Sequence, residues 1–215
     1  MTESLTELEI EPETASALFG DHLEKVRAFA TDLAQYGEQL GIIGPLELPR
    51  LWSRHIMNSG LVAPLLVSGG RVGDIGSGAG LPGLVLAAAR PDATLVLIEP
   101  MERRTDWLRA EAERLSLTNV EVVRARAEEA VDLISPWLDQ VTARAVSALS
   151  KLIPITVPLV RTGGQLLFLK GARVDAEVAA ARKTISRHHL VDVEILELGE
   201  GFVEETTRVF RATVD

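Results

Sequence analysis

The stretch Val72-Gly73-Asp74-Ile75-Gly76-Ser77-Gly78-Ala79-Gly80-Leu81-Pro82-Gly83, followed by Leu95-Val96-Leu97-Ile98-Glu99, decides the fold. A short apolar run meets an acid and then a run of glycines. An apolar helical segment follows, and a second apolar run ends in another acid. Glycines let the backbone approach a ligand where any Cβ would clash, and they supply positive φ cheaply. An acid roughly 20 residues beyond such a loop is placed to accept hydrogen bonds from ribose hydroxyls. The spacing therefore points to an adenosine-bearing cofactor across the ends of the first two strands.

Two glycine patterns overlap in this loop. Gly78, Gly80 and Gly83 satisfy G-x-G-x-x-G, the dinucleotide signature, in which a pyrophosphate needs the amides at the helix N-terminus. Gly76, Gly78 and Gly80 also satisfy G-x-G-x-G directly after Asp74. An acid at the end of the first strand repels a pyrophosphate but suits the ammonium of an amino-acid-bearing cofactor. S-adenosylmethionine has that ammonium and no phosphate, so charge favours it over a nicotinamide dinucleotide. A nicotinamide-dependent oxidoreductase is the competing class. A non-catalytic nucleotide- or S-adenosylmethionine-binding interaction protein is a third, against which the intact set of Asp74, Gly76, Gly78, Gly80 and Glu99 speaks. The plain alternative for Asp74 is a helix-capping or loop-ordering residue.

The chain has 215 residues, 47% hydrophobic and 25% charged, the composition of an ordinary globular domain with room for a sizeable core. It has no apolar run long enough to span a bilayer, and Met1-Thr2-Glu3-Ser4 is acidic rather than signal-like. The absence of cysteine excludes disulfides, thiolate metal sites and cysteine nucleophiles, and fits a cytoplasmic protein with no membrane and no metal partner. The net charge of -9 is unevenly spread. Glu3, Glu7, Glu9, Glu11, Glu13, Asp21 and Glu24 fall before the first Lys or Arg, which leaves the rest close to neutral. Arginines then recur as Arg50 and Arg54, Arg103 and Arg104, Arg124 and Arg126, Arg182 and Arg187, which could assemble a phosphate-binding face or a solvated helix surface.

Leu23, Val26, Phe29, Ala30, Leu33 and Leu40 recur at helical spacing, and Gly41-Ile42-Ile43-Gly44-Pro45 breaks the pattern. Leu51 to Leu66 reads as a second helical region, with interruptions near Gly60 and Pro64. Strands are predicted at 71–75, 94–99, 120–124, 140–145, 165–170, 191–197 and 207–213. Helices are predicted at 82–89, 103–115, 127–134, 150–160 and 175–187. Strands alternating with helices make a doubly wound α/β protein with a parallel sheet, and the last two strands, with no helix between them, form an antiparallel hairpin. Seven strands with a terminal hairpin fit a Rossmann-like class I methyltransferase sheet better than a six-stranded dehydrogenase sheet. The organisation is an acidic, disordered tail over 1–15, an N-terminal helical cap over 16–68 and a cofactor-binding domain over 69–215.

Arg54-His55-Ile56-Met57-Asn58-Ser59, the glycine loop through Leu81-Pro82-Gly83, Arg126-Ala127-Glu128-Glu129, Arg144-Ala145 and Leu169-Lys170-Gly171 occur in this order. Together they resemble the G-type small-subunit ribosomal RNA methyltransferases, also called glucose-inhibited division protein B. The resemblance covers roughly residues 18 to 215. It implies S-adenosylmethionine-dependent methylation of guanine N7 in the 530 loop of 16S rRNA, on the small ribosomal subunit, by a monomer. Asn58 departs from the family pattern, which usually has Asp there, and this puts in question any role needing charge at that position.

The chemistry agrees with that implication. Methyl transfer from a sulfonium is an in-line displacement, and guanine N7 has a lone pair and no proton to lose. Catalysis then reduces to positioning and exclusion of water. The chain has no cysteine for attack on a pyrimidine and no Asn/Asp-Pro-Pro-Tyr/Phe motif after the fourth strand, which leads instead into Thr142-Ala143-Arg144-Ala145. Arg144 cannot accept a proton but can donate to guanine O6 or a phosphate. The resemblance places it at both cofactor and target base. Gly76, Ser77, Gly78, Gly80 and Leu81 are expected along the methionine portion, with Glu99 at the ribose. Ala127 and Glu128 are expected to border the adenine, although Glu128 also reads as a helix N-terminal acid. Lys170, at the end of the fifth strand, is expected as a catalytic or RNA-contacting cation. Arg54 and His55 read either as RNA contacts or as a hydrogen-bonding pair holding cap to core. His188 and His189 read as surface residues without metal-ligand company.

Overall fold

The computed structural model describes residues 8–215. Seven strands form one sheet in the order β3-β2-β1-β4-β5-β7-β6. They are β1 (Arg71–Ile75), β2 (Thr94–Ile98), β3 (Val120–Val123), β4 (Leu138–Arg144), β5 (Val160–Lys170), β6 (Leu190–Leu198) and β7 (Thr207–Val214). The first five are parallel, whereas β7 enters between β5 and β6 and runs antiparallel to both. The expected terminal hairpin is therefore present. Its second strand, not its first, pairs with β5 at the edge of the parallel core, where Phe168 and Phe210 face each other across the β5–β7 ladder with ring centroids 5.9 Å apart.

The order in which strands are added to the sheet reverses between β1 and β4, which are parallel neighbours although β2 and β3 intervene in sequence. Such a switch point opens a crevice at the carboxyl ends of the strands, where ligands of open α/β sheets bind. Register places Asp74 beside Leu97 on one side and Thr142 on the other. The two faces of the sheet bury separate cores. One contains Val72, Leu95, Leu97 and Leu167 with the helices α2 (Leu23–Tyr36), α4 (Gly83–Ala89) and α5 (Glu102–Arg114). The other contains Val96, Val141, Leu166 and Phe168 with α6 (Ala127–Ala130), α7 (Leu149–Thr156) and α8 (Val174–Arg187). In α2 the buried set is Leu23, Val26, Phe29, Ala30 and Leu33, the apolar stripe read from the sequence except for Leu40, which lies beyond the helix and is half-buried.

The N-terminal region begins with α1 (Ala15–Phe19), and past α2 it is less regular than the sequence suggested. Pro45–Arg50 is a 3₁₀ turn, and the segment expected as helix over 51–66 is interrupted near Gly60 and Pro64 as expected, with one α-helical turn α3 (Asn58–Gly60) and a 3₁₀ turn (Ala63–Leu65), while its first part is a wide π-type turn (Leu51–Met57) that was not expected. Residues 8–15 are tied to this cap rather than free. Glu9 N donates to Leu48 O at 3.1 Å, Glu9 Oε2 accepts from Ser53 N at 2.9 Å, and Arg27 grips Glu11 through Nε and Nη2 at 2.6 and 2.7 Å. The earlier part of the expected acidic tail lies outside the described residues.

Two further boundaries moved. The helix expected over 150–160 ends at Thr156, and a 3₁₀ turn carrying Pro158 leads directly into a longer β5. Helix α6 stops at Ala130, four residues early. No helix among the described residues is long and apolar enough to cross a membrane.

Candidate active site

Loop 76–82 is shaped by bonds to the strand ends. Gly76 N donates to Ile98 O at 2.8 Å and Gly80 N to Ser77 O at 2.7 Å. Ser77 Oγ donates to Asp74 O at 2.8 Å. Gly76, Gly78 and Gly80 have φ of 68°, 53° and 96°, a region open to glycine and strained for other residues. At Gly83 the demand is for space. A Cβ there would stand 2.3 Å from Leu97 Cδ2 and 2.6 Å from Asp74 Oδ2, so α4 can begin against the sheet only with glycine at that position. From the other side, Trp107 Nε1 of α5 donates to Ala79 O at 3.0 Å.

Asp74 and Glu99 close the ends of β1 and β2, and both are buried. Asp74 Oδ2 accepts from Gly83 N at 3.1 Å, while Oδ1 is buried without a hydrogen-bond partner. Burial dominates its titration and pushes the carboxyl up to about 7, against the opposing pull of Ser77, Gly83 and the Arg144 charge. Glu99 bridges two backbone donors, Gly78 N to Oε2 and Met101 N to Oε1, each at 3.0 Å. Each of its oxygens retains a lone pair. Ala127, buried, and Glu128, exposed, open α6 on the same carboxyl edge of the sheet. Ser77 and Leu81 are buried in the loop.

Arg144 closes β4. Its Nη2 donates to His55 Nδ1 at 2.7 Å and its Nη1 to Arg54 O at 3.3 Å. His55 is 8% exposed, and its Nε2 lies 2.7 Å from Glu47 Oε2. Burial, reinforced by the positive charge of Arg144, pulls the imidazole down to about 4, so it is neutral at physiological pH. With Arg144 donating to Nδ1, the proton sits on Nε2 and is donated to Glu47. Glu47 also accepts from Arg50 Nη2 at 2.7 Å, which holds its carboxyl below the usual range. Ala145 follows at φ 55°, and Val146 lies over Gly76. Thr142 Oγ1 and Ser147 Oγ are buried without partners beside Asp74 and after Arg144.

Two expected RNA contacts need correction. His55 does not face solvent: both ring nitrogens are used inside the protein, joining the cap to β4, which matches its other reading as a hydrogen-bonding residue that holds cap to core. Lys170 is likewise turned inward, its Nζ donating to Ser147 O at 2.7 Å and Glu177 Oε2 at 2.9 Å. It ties the loop after β4 to α8. Arg54 is exposed, and its guanidinium has no partner among the described residues. Asn58 Oδ1 is buried without a partner. Glu47, Thr142, Ser147 and Glu177 were missed by the sequence reading. Nothing in their local spacing marks them, because their roles arise from how the cap and α8 dock against β4 and β5.

The sheet order, the glycine loop and the two strand-end acids together define an S-adenosylmethionine-dependent methyltransferase of class I fold. Solved structures of similar fold include the S-adenosyl-L-methionine complex of fibrillarin from Aeropyrum pernix (TM-score 0.57, 16% identity, 75% of each chain). Another is a SAM-dependent O-methyltransferase from Thermotoga maritima (TM-score 0.55, 16% identity, 74% of this chain and 65% of that one). Residues 22–207 match the rRNA small subunit methyltransferase G family, to which this chain belongs. It is 62% identical to the ribosomal RNA small subunit methyltransferase G of Clavibacter sepedonicus over 97% of this chain and 98% of that relative. It is 59% identical to that of Leifsonia xyli subsp. xyli over the full length of both.

Proposed function

We propose that the protein transfers a methyl group from S-adenosylmethionine to N7 of a guanine in the 530 loop of 16S rRNA. It acts as a cytoplasmic monomer on the small ribosomal subunit, by direct displacement and without a general base. The observation that carries this reading is the residue at the end of β4, a cation held by a neutral histidine. Enzymes that methylate a protonated nitrogen need a proton acceptor near the target, and Arg144 cannot serve as one. Guanine N7 presents a lone pair and releases no proton.

The residues fit the cofactor. The unpartnered Asp74 Oδ1 is a buried acceptor suited to an ammonium, and the spare lone pairs of Glu99 suit ribose hydroxyls. Gly76, Ser77, Gly78, Gly80 and Leu81 would line the methionine portion, and Ala127 and Glu128 would border the adenine. The bound cofactor supplies an electrophilic methyl on a cationic sulfonium. Asp74 and Glu99 would hold its two ends, and Arg144 would donate to the guanine carbonyl. Lys170 holds loop 145–148 in place through Ser147 O, and the exposed Arg54 supplies a cation for RNA.

The test uses methyl-labelled S-adenosylmethionine, purified protein and unmethylated small ribosomal subunits, with nucleosides separated by mass after digestion. Label in 7-methylguanosine is the expected result. Label in another nucleoside would overturn the target atom.

A further inference from the structure

We propose that Glu47 and His55 are positioning residues for methyl transfer, a relay through which the N-terminal cap aims the Arg144 guanidinium into the cleft. The proposal rests on the reading of Arg144 as the group that meets the target base. Four side chains form the relay. Arg50 Nη2 meets Glu47 Oε1 at 2.7 Å, Glu47 Oε2 meets His55 Nε2 at 2.7 Å, and His55 Nδ1 meets Arg144 Nη2 at 2.7 Å. They come from three separate elements: the 3₁₀ turn Pro45–Arg50, the π-type turn Leu51–Met57 and β4.

The chemistry of the middle member decides the role. A carboxylate beside Arg144 would hold it as firmly but would spend its charge in an ion pair. A neutral imidazole accepts one hydrogen bond and leaves the charge intact for the ligand. A guanidinium has five N–H donors. His55 and the Arg54 carbonyl take two of them, so three stay available on a group whose direction is already fixed. Fixing it in advance matters because the side-chain freedom of a long arginine would otherwise be lost on binding. Glu47 has a distinct part. By accepting from Nε2–H it selects the tautomer in which Nδ1 is bare and can receive Arg144. The π-type turn belongs to the same device: it carries His55 and Arg54, whose ring and carbonyl are the two anchors of Arg144. Wide turns of this kind occur often at functional sites.

The experiment compares full-length wild type with His55→Leu, His55→Asn, Glu47→Ala and Arg144→Ala. Turnover on unmethylated small subunits is measured at saturating cofactor, cofactor Kd by titration, and the His55 tautomer by nitrogen NMR. Replacement by Leu removes the acceptor at the Nδ1 position, and replacement by Asn keeps an amide oxygen there. Support would be a turnover loss of about 10²-fold in His55→Leu, the scale expected when a catalytic group is misaimed. Cofactor Kd should stay within about threefold, so that the loss falls on kcat. His55→Asn should recover about tenfold of the loss, and Glu47→Ala should lose about tenfold, as expected for groups that act through another residue. Wild-type His55 should carry its proton on Nε2 at neutral pH.

Equal impairment of His55→Asn and His55→Leu would overturn the relay, as would a protonated Nδ1 or normal turnover in His55→Leu while Arg144→Ala is inactive. Normal turnover in Arg144→Ala would instead overturn the reading of Arg144 on which the relay rests. If His55→Leu does not fold, the wild-type tautomer and Glu47→Ala decide the matter.

Discussion

Glu99 reaches the glycine loop across 21 residues of sequence, within a single strand-helix-strand unit, whereas Arg144 finds His55 across 89. The first half of the cleft, around Asp74 and Glu99, is held by carboxylates accepting from backbone N–H groups. The second half, around Arg144, is held by side chains from the cap and from α8. Backbone amides come with the local fold, so the cofactor half depends on little besides its own loop. The target half depends on how the cap and α8 dock. Damage to the first should therefore appear as lost cofactor affinity, and damage to the second as lost turnover with affinity preserved.

The largest expected effect lies in the second half. Arg144→Ala should lower methyl transfer by about 10³-fold, the upper range for loss of a preorganised donor. Single-turnover assays with labelled cofactor, alongside thermal melts, check that transfer falls far more than stability. A parallel loss in cofactor affinity would break the proposed division between the halves.

Asp74→Asn is the matching test in the first half. It should weaken cofactor binding by about 10²-fold, the scale of a buried charge-assisted contact. In the wild type, binding should also weaken as pH falls below about 7, where Asp74 takes up a proton, and this dependence should vanish in the Asn variant. The stability of the cofactor-free protein should move the other way. A carboxyl raised by burial costs stability when ionised, so relative to Asp74→Asn the wild type should gain stability as pH falls from 8 through 7, while the opposing cost of keeping His55 neutral below its ordinary range is common to both proteins. Melting curves from pH 8 to 5 on both proteins read this directly.

Gly83→Ala sharpens the comparison through packing. The added methyl meets Leu97 and the Asp74 carboxylate, so a cost of about 1–3 kcal/mol is expected. At this chain length that corresponds to a fall in Tm of roughly 2–4 °C per kcal/mol. The smallest effect should come from Lys170→Met, which frees loop 145–148 from α8. A turnover loss of about tenfold with unchanged cofactor Kd is expected, a positioning effect rather than a lost RNA contact. The salt dependence of RNA binding should stay as in wild type, because a lysine paired with Glu177 neutralises no phosphate.

The same contrast explains what could be read in advance. The strand and helix order, the glycine loop, Asp74 and Glu99 were legible because each is written in local spacing. β1 to β5 alternate with helices, and the acids fall at strand ends. The cap was legible as helical only through α2, whose apolar stripe is regular. Leu51–Met57 reads as part of an ordinary helix, whereas in the fold it is a π-type turn that buries Trp52, His55 and Ile56. Lys170 and His55 were recognised as chemically interesting, but their direction was not legible. A sequence shows that a cation or an imidazole is present, and only its neighbours show whether it faces a ligand or the interior.

By itself the sequence determined a doubly wound α/β chain with a glycine loop between two acids, because backbone geometry and strand periodicity act over a few residues. Only the tertiary structure decided that Glu47 and His55 stand behind Arg144 and that Ser147 and Glu177 hold Lys170. Those contacts exist because docking the cap and α8 against the sheet brings the groups together, and each buried polar group must find a partner.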